Sequence, residues 1–252
     1  MRSSRTRHDA PSPRGRARSA HSHCDDSGET LHKLLASSLV DASVLVDAGC
    51  GRGAHLAGTA GGRAVAQMRS SGGRVVGLDI DPDAAANPYV DEFHVLRDDS
   101  WPLPSACADI VFSDWVLEHV DRPEAFFREC GRVLRPGGVL VARTLQRWSP
   151  AGVGARAVPN RFHPWLGARL QPGMHEADIF PTRMRANTAR TLTGLCAGAG
   201  LDCETHVAPG LGGYAAGSRW LGAALNLVER RLPPSMTHAI IIVARKRPIS
   251  IR

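Results

Sequence analysis

The amino-acid sequence predicts an α/β fold in which a mainly parallel β-sheet is covered by helices on both faces. Two observations support this prediction. Short runs of aliphatic residues recur along the chain, and the first two lie at 43–49 and 74–81. Segments whose apolar residues follow a helical spacing lie between these runs, so strands and helices alternate.

Each element follows from a local signal. The run at 43–49 ends in glycine and predicts a short buried strand. The helix predicted at 122–138 is stopped by Pro136 and two glycines, and Asn187 is the expected N-cap of a helix at 187–200. The other predicted strands are 74–81, 92–99, 108–114, 139–144, 201–209 and 237–246. The other predicted helices are 28–40 and 54–73.

Positive charge is concentrated in two parts of the chain, whose formal net charge is +7. Residues 1–20 hold six arginines against one aspartate, and residues 143–190 hold eight arginines against two acids. The remainder is therefore net negative, so the basic composition does not indicate that the folded core binds nucleic acid. We expect the Arg-, Ser- and Pro-rich segment 1–27 to be a disordered basic tail and 28–252 to form the folded domain.

Composition also bears on the cellular compartment. No stretch of about eighteen apolar residues occurs, so no membrane-spanning helix is expected. The N-terminal segment lacks the apolar core of a secretory signal. The six cysteines form no CxxC pair, which argues against a zinc ribbon or a thioredoxin-type site. We expect a cytoplasmic protein with reduced cysteines.

The stretch VLVDAGCGRG, residues 44–53, places three glycines at the turn that follows the first strand. We call residues 49–53 the glycine loop. In open α/β sheets, ligands bind beyond the carboxyl ends of the strands, and glycine lets the backbone approach them closely. One pattern in the loop is the dinucleotide signature GxGxxG/A, formed by Gly49, Gly51 and Ala54. The other is DxGxGxG, formed by Asp47, Gly49, Gly51 and Gly53.

Two acids next to this loop narrow the kind of ligand. A carboxylate at Asp47 suits a cationic group, such as an ammonium, better than a phosphate. Asp79, at the end of the second strand, can accept both hydroxyls of a ribose and fits either pattern. By itself the loop therefore indicates a nucleoside-type ligand.

Motifs further along the chain favour the second pattern. The segments VDAGCGRG, VVGLDIDP and WPLPSACADIVFSDWVLEHVDRPEAFFRECGRVLRPGGVLVART follow one another in this order. Together they strongly resemble the class I S-adenosylmethionine-dependent methyltransferases, and the LEHV…RVLxPGG block is typical of a large subgroup of the small-molecule type. The resemblance covers about residues 28–245. It implies a Rossmann-like, doubly wound, mainly parallel seven-stranded sheet with a last antiparallel strand and a cap inserted after strand five.

The resemblance also implies how S-adenosylmethionine would be bound. Asp47 would orient the methionine ammonium, directly or through water, while the glycine loop passes under the ligand. Asp79 would hold the ribose hydroxyls, with Ile80 against the adenine. The other implied contacts are Gly49, Cys50, Gly51 and Gly53 in the loop, Asp99 or Asp98 at the adenine amino group, and Ser113 and Asp114 at the methionine end.

One segment departs from the family pattern. The long helix that usually joins strands two and three is compressed to residues 81–92, and Asn87-Pro88 predicts a turn there. Because Asp98 and Asp99 are adjacent, the register of the adenine acid also stays open, with Asp99 preferred.

Methyl transfer from a sulfonium is an in-line displacement, so the enzyme mainly positions the acceptor. An acceptor hydroxyl or phenol additionally needs a base. His119, just past strand four in the sequence LEHV, is the expected candidate because histidine titrates near neutral pH. The alternative is that His119 is structural, and Glu118 is expected to be structural.

Two segments, 145–186 and 210–236, are expected to cap the acceptor pocket. The first mixes aromatic side chains with many arginines, which favours an anionic acceptor or a site at an anionic membrane surface. A solvated loop whose arginines pair with surface acids is the alternative. The second is partly helical and amphipathic, and it either caps the pocket, rests on a membrane or partner, or packs on the core.

No metal site is predicted. The residues His163, His175 and Glu176 could in principle cluster, but their spacing matches no metal-ligand motif.

These observations predict a methyltransferase that acts on a small-molecule or lipid- or glycan-linked acceptor, at oxygen, nitrogen or carbon. One alternative is an NAD(P)-dependent oxidoreductase, against which Asp47, Gly53 and the LEHV…RVLxPGG block count. The other is a catalytically inactive nucleoside-binding module. Nucleic-acid methylation is disfavoured, because SDWV stands after strand four in place of a PPY-type motif.

Overall fold

The structure is a computed structural model that describes residues 26–159, 180–215 and 218–248. Residues 1–25 of the expected tail, and the residues His163, His175 and Glu176, lie outside the described residues. The first described helix begins at Asp26, so two residues assigned to the tail belong to that helix.

The described residues form an alternating series of strands and helices. The strands are β1 Val44–Ala48, β2 Arg74–Asp79, β3 Glu92–Val95, β4 Ala108–Asp114, β5 Leu134–Leu145, β6 Leu201–Ala208 and β7 Ala239–Lys246. The helices are α1 Asp26–Ser38, α2 Ala60–Ser70, α3 Pro123–Val133, α4 Pro150–Ala157, α5 Ala189–Gly198 and α6 Arg219–Glu229. Short 3₁₀ helices span Pro82–Ala86, Leu211–Tyr214 and Pro234–Met236.

The strands form a single seven-stranded sheet in the order β3-β2-β1-β4-β5-β7-β6. Strands β1 to β5 run parallel to their neighbours in this group, while β7 is antiparallel to both β5 and β6. This confirms the predicted Rossmann-like class. The strand order reverses between β1 and β4, and such a switch point opens a crevice at the carboxyl ends of the strands.

Successive residues of each strand pack into two cores, one on each face of the sheet. On one face, Leu45 of β1 packs with Leu31 and Leu35 of α1. On the other face, Val46 packs with a cluster that includes Phe127 of α3. All five side chains are fully buried. Because side chains alternate along a strand, the continuous aliphatic run at 43–49 serves both faces, which explains why it shows no polar alternation.

Helix α3 ends earlier than the predicted limit at 138. It stops at Val133, and β5 begins at Leu134, whose backbone is extended at φ −62° and ψ 136°. The physical reason is Pro136, which disfavours helical geometry at the residue before it and cannot donate a helical hydrogen bond.

The predicted N-cap of α5 was also wrong. The cap is Thr188, whose side chain accepts from the N–H of Thr191. Asn187 instead turns its amide to β5, where it donates to Thr144 Oγ1 at 2.7 Å and to the carbonyl of Leu145 at 2.9 Å. A buried amide has more to gain from these two contacts than from capping, because its donors would otherwise be unpaired.

The second predicted helix is shorter than expected. Residues 54–59 form turns, and α2 begins at Ala60 after Thr59, whose Oγ1 accepts from the N–H of Gly62 at 3.0 Å. The predicted turn within 81–92 is confirmed as the short 3₁₀ helix Pro82–Ala86. None of the described helices has the length and apolar character needed to cross a bilayer.

Candidate active site

The glycine loop leaves β1 at the switch point of the sheet. The N–H of Gly49 donates to the carbonyl of Leu78 at 2.7 Å, so the loop starts against β2. Gly49, Gly51 and Gly53 have φ values of +81°, +44° and +81°, a region that favours glycine. A Cβ on Gly49 would collide with Val116, whereas a Cβ on Gly51 would meet no atom within 4 Å. The loop is therefore packed at its start and open at Gly51.

Asp79 ties this loop to the end of β2. Its Oδ2 accepts from the N–H of Gly51 at 2.8 Å, and its Oδ1 accepts from the N–H of Asp81 at 2.9 Å. Each carboxylate oxygen has a second lone pair, so the acid keeps acceptor capacity for ligand hydroxyls. The next side chain, Ile80, is 63% exposed. The end of β2 therefore presents a carboxylate that can accept hydrogen bonds from hydroxyl groups, next to an exposed apolar side chain.

Asn87 holds the loop from the other side. Its Nδ2 donates to the carbonyls of Cys50 at 2.8 Å and Gly51 at 3.2 Å. Its Oδ1 accepts from the N–H of Tyr89 at 2.9 Å. The Cys50 side chain points into the core, where burial raises the pKa of its thiol far above the ordinary value. Only the backbone of Cys50 is therefore available to a ligand.

Asp47 lies inside the protein at the end of β1. Its side chain is 1% exposed, and its Oδ2 lies 3.1 Å from Nε2 of His55. Its Oδ1 is buried and has no hydrogen-bond partner among the described residues. Since an unpaired buried carboxylate oxygen is costly, this atom calls for a donor from a ligand or from an ordered water.

The imidazole of His55 is held between the acid and the core. Its ring stacks on Phe112 with centroids 5.8 Å apart. Burial by itself lowers the pKa of His55, but the charge of Asp47 and the hydrogen bond to it raise that pKa above its ordinary value. His55 therefore favours the cationic form more than a solvent-exposed histidine does.

Ser113 and Asp114, expected at the methionine end, are both engaged by protein groups. Ser113 Oγ donates to the carbonyl of Ala48 at 2.9 Å. Asp114 accepts two hydrogen bonds from Arg143, at 2.7 Å to Oδ1 and 2.9 Å to Oδ2. Arg143 also donates to Ser27 Oγ at 2.8 Å, which joins α1 to the sheet. Burial raises the pKa of Asp114, but the Arg143 charge outweighs it, so the pKa lies below the ordinary value.

The two candidate adenine acids follow β3. Asp99 lies 2.8 Å from Arg122 as an ion pair, and Asp98 Oδ1 accepts from the N–H of Ser100 at 2.8 Å. Asp98 is exposed and Asp99 is partly buried. Neither contact selects one acid over the other, so the assignment stays a prediction.

His119 is half-buried at the edge of the site. Its Nδ1 lies 3.1 Å from the carbonyl oxygen of Pro181, and its ring packs edge-on against Phe180. Because a carbonyl only accepts, this hydrogen bond places the proton on Nδ1 and leaves a lone pair on Nε2 in the neutral ring.

The neighbouring Glu118 is hydrogen-bonded within the protein through both its side chain and its backbone. Its Oε2 accepts from Thr144 Oγ1 at 2.9 Å. Its backbone carbonyl accepts from the N–H groups of Arg183 at 2.7 Å and Met184 at 3.0 Å. Burial raises the pKa of its carboxyl. Glu118 therefore fixes the described end of the expected acceptor cap against β5.

A basic cavity of about 320 Å³ lies beside Arg183 and Met184, the two residues that donate to the Glu118 carbonyl. Three arginines line it, Arg147, Arg156 and Arg183. Arg183 pairs with Asp121 at 3.0 Å, whereas among the described residues no carboxylate lies within ion-pair distance of Arg147 or Arg156. The guanidinium groups of Arg147 and Arg156 lie 5.7 Å and 5.1 Å from the ring centroid of Trp148.

Comparison with known proteins bears directly on this site. The profile of a methyltransferase domain family matches residues 46–142, which include the last three residues of β1, the glycine loop, β2 and β4. A probable S-adenosylmethionine-dependent methyltransferase of Mycolicibacterium smegmatis is 32% identical over 181 residues, which cover 70% of this chain and 58% of that protein. The chain contains a class I S-adenosylmethionine-dependent methyltransferase domain.

Two further similarities agree with this methyltransferase domain. A malonyl-[acyl-carrier protein] O-methyltransferase of Serratia marcescens is 35% identical over 133 residues, or 51% of this chain and 48% of that protein. The chain thus spans about half the length of these two relatives. Geranyl diphosphate C-methyltransferase from Streptomyces coelicolor A3(2) has the same fold, with a TM-score of 0.54, 19% identity and coverage of 86% of this chain and 77% of that chain.

The residues of the methyltransferase domain fit the cofactor of this family. The oxygen of Asp47 that no described residue contacts by a hydrogen bond suits a cationic amino group, and the backbone at Gly51, which has open space beside it among the same residues, leaves room for a ligand that a side chain would obstruct. Asp79 and Ile80 provide hydroxyl acceptors and an apolar surface. When bound, S-adenosylmethionine supplies an electrophilic methyl group on a sulfonium.

Sequence reasoning missed three residues of the site, His55, Asn87 and Arg143. A signal existed for two of them. His55 is a titratable residue two positions after the last glycine of the loop, and Arg143 is a charge within an otherwise apolar strand. Asn87 was assigned only to a turn, because its hydrogen bonds to the loop cross 36 and 37 positions of sequence. Within the described residues, no group of metal-binding side chains occurs.

Proposed function

We propose that the chain is an enzyme that transfers a methyl group from S-adenosylmethionine to a small-molecule or lipid- or glycan-linked acceptor that bears an anionic group. One observation carries the proposal. The glycine loop is open at Gly51, is hydrogen-bonded to Asp79, and follows directly on Asp47, whose buried Oδ1 needs a donor. A tight turn that served only the fold would have no need for an unpaired carboxylate beneath it.

The cofactor part of the proposal is tested by calorimetry on the full chain. S-adenosylmethionine and S-adenosylhomocysteine should bind in the micromolar range, while NAD and NADP should show no heat of binding. Asp79→Asn, which removes the charge and keeps the shape, should weaken binding on the order of tenfold, or ~1.4 kcal/mol. Asp202→Asn on β6 is the matched control, because the side chain of Asp202 forms an exposed ion pair with Arg247, far along the sheet from the glycine loop. Binding of NAD but not of S-adenosylhomocysteine would refute the proposal.

The basic cavity supports the anionic character of the acceptor. Arg147 and Arg156 present guanidinium groups without a carboxylate partner among the described residues, and guanidinium groups bind carboxylates and phosphates with two parallel hydrogen bonds. The relative from Serratia marcescens is named for a malonyl substrate, which is also anionic. Labelled S-adenosylmethionine, incubated with cell extract and the protein, should therefore give either a labelled product that an anion exchanger retains or a methyl ester of an acid, from which mild base releases the label as methanol and leaves an unlabelled anion.

We assign His119 as the base that accepts the acceptor's proton when the acceptor is a hydroxyl or phenol. The contact to Pro181 supports this role, because it leaves the Nε2 lone pair unprotonated in the neutral ring. His119→Ala should keep the affinity for S-adenosylhomocysteine within twofold and lower turnover about 10²–10⁴-fold. His206→Ala, an exposed histidine on β6, is the control. Unchanged turnover in His119→Ala would show that the residue is structural.

We place this reaction in the cytoplasm. The five cysteines that the structure describes are free thiols, which is consistent with a reducing compartment.

A further inference from the structure

Helix α6 carries its polar side chains inward and its apolar side chains outward. Asn226 and Glu229 face the protein and are 6% and 0% exposed. Trp220, Leu227 and Val228 are 90%, 54% and 59% exposed. A surface helix normally buries its apolar stripe, so packing within the described residues does not account for this arrangement.

The exposed side chains share one face of the helix. We call this the outer face of α6, and its members are Trp220, Leu221, Ala224, Leu227 and Val228. Their spacing, i, i+1, i+4, i+7 and i+8, is that of a continuous stripe along a helix. Met236, in the following 3₁₀ helix, is a further exposed apolar residue at 39%.

The inward side chains fix the orientation of this helix. Glu229 and Asn226 act as acceptors for backbone N–H groups of the segment before α6 and of the residue that precedes β7. The donors are Gly210 and Leu211 at 2.9 Å and 2.8 Å to Glu229, Gly212 at 2.7 Å to Asn226, and His238 to Glu229. Rotating α6 to bury the outer face would break all four contacts and leave a buried carboxylate unpaired, which is strongly unfavourable.

The inward side of α6 contacts the active-site edge of the sheet. The end of β6 at Ala208 and the end of β5 at Leu145 both pair with Ala239, at the start of β7. Because β5 is parallel to β1 through β4, the segment that precedes α6 emerges at the same edge as the glycine loop. His238 joins the two regions, since its ring lies 5.3 Å from that of Trp115, which follows β4.

The charged side chains that directly flank the outer face in the sequence are arginines. Arg219, Arg230 and Arg231 flank it, while the helix's one acid, Glu229, is buried. An apolar stripe with an exposed tryptophan and a rim of arginines matches the chemistry of an anionic bilayer interface, where tryptophan lies at headgroup depth and arginine pairs with lipid phosphate.

We propose that the outer face of α6 inserts into the headgroup region of an anionic membrane and docks the protein there with its active-site edge towards the lipid. The chain's own tail is a poor occupant of this face, because residues 1–20 carry six arginines and would be repelled by its arginine rim. The docking itself is independent of the enzymatic proposal. Only its consequence, delivery of a lipid-linked acceptor to the site, depends on that proposal.

Vesicle co-sedimentation of the full chain tests the docking. Vesicles of phosphatidylglycerol and phosphatidylcholine should sediment the protein at 150 mM salt, and vesicles of phosphatidylcholine alone should bind it at least tenfold more weakly. The double variant Trp220→Ser/Leu227→Ser should lose at least tenfold in partition onto the anionic vesicles. The single variant Trp220→Ser, which alters one almost fully exposed side chain, should lose part of it.

The matched control is Val40→Ser. Val40 is 79% exposed but lies in the turn before β1, at the opposite edge of the sheet, so this variant should bind vesicles as the wild type does. S-adenosylhomocysteine affinity should be unchanged in all three variants, which separates this test from that of the enzymatic proposal. If the double variant binds vesicles as the wild type does, and 500 mM salt abolishes that binding, charges elsewhere on the protein carry the interaction. That result would overturn the proposal. A wild-type dimer in light scattering that becomes a monomer in the double variant would also overturn it, in favour of an interface between copies.

Discussion

The carboxylate of Asp47 and the imidazole of His55 form a pair beneath the glycine loop, with Oδ2 and Nε2 3.1 Å apart. The acid uses one oxygen for His55 and leaves the other, Oδ1, without a partner among the described residues. A ligand ammonium and the imidazolium would therefore share one negative charge, which couples cofactor binding to the protonation of His55.

This coupling predicts that the affinity for S-adenosylhomocysteine rises with pH. The pKa of His55 lies above its ordinary value, and Asp47, Asp114 and Arg143 are the charged groups whose fields act on the ring. Below that pKa the imidazolium neutralises Asp47, and above it the full charge is available to the ammonium. Calorimetry from pH 6 upwards should show tighter binding at higher pH, with a change on the order of tenfold, or ~1.4 kcal/mol, as pH passes through the folded pKa of His55.

His55→Gln should flatten this pH profile, because glutamine donates a hydrogen bond without titrating. His94→Gln, a histidine on β3 that pairs with Glu92, is the control and should keep the wild-type slope. Equal slopes in His55→Gln and wild type would rule out the coupling.

The raised pKa of His55 also makes the stability of the folded protein depend on pH. The contribution of the charged His55–Asp47 pair is present below the unfolded pKa of about 6.5 and is lost as pH rises through the folded pKa.

The buried Asp114–Arg143 pair predicts a large stability effect. Arg143→Met would leave the Asp114 carboxylate without its cation at 1% exposure, and such changes cost about 3–5 kcal/mol. Urea unfolding at pH 7 measures this loss, and Arg247→Met, at an exposed pair with Asp202, should cost no more than about 1 kcal/mol. Because the folded pKa of Asp114 is lowered, its contribution is present above the unfolded pKa of about 3.9 and is lost as pH falls through the folded value. Equal losses in the two variants would contradict the assignment.

Gly51 offers a test that separates backbone strain from ligand contact. Gly51→Ala and Gly72→Ala both place a Cβ in open space at positive φ, +44° and +91°. Each should cost about 1–2 kcal/mol of unfolding free energy through strain. Only Gly51→Ala should also weaken S-adenosylhomocysteine binding, at least tenfold by calorimetry, because its methyl would occupy the ligand side of the loop. Unaltered binding in Gly51→Ala would place the ligand elsewhere.

The contribution of Glu118 to the free energy of unfolding should change with pH in the opposite direction to that of Asp114. Burial raises the pKa of its carboxyl, so the folded state holds a proton that the unfolded state has lost. Its stabilising contribution is full below the unfolded pKa of about 4.3 and is lost as pH rises through the folded pKa. Glu118→Gln can still accept from Thr144 but does not titrate. The free energy of unfolding of this variant should therefore increase relative to that of the wild type as pH rises from 4 to 8. Parallel stability curves would show that Glu118 does not titrate in this range.

Most of the strands and turns could be predicted from the sequence, because the signals that mark them are local. All seven predicted strands occur, and the turn within 81–92 could be anticipated from Asn87-Pro88 alone. The errors at helix ends have different causes. Helix α3 stops at Val133 because Pro136 disfavours helical geometry before it, whereas at Asn187 a long-range contact to β5 was stronger than the local capping signal.

By itself the sequence determined the methyltransferase family, because glycines and acids at fixed spacing after β1 are part of the pattern typical of it, and the ligand-binding role of that turn stays a prediction. The tertiary structure decided which side chains are engaged: Asp114 is bound to Arg143, Asn87 holds the glycine loop, and one oxygen of Asp47 has no partner in the part of the chain that the structure describes. It also decided that α6 faces outward with its apolar side. The reason is physical, because a helical pattern defines two faces but only contacts such as those of Glu229 determine which one is buried.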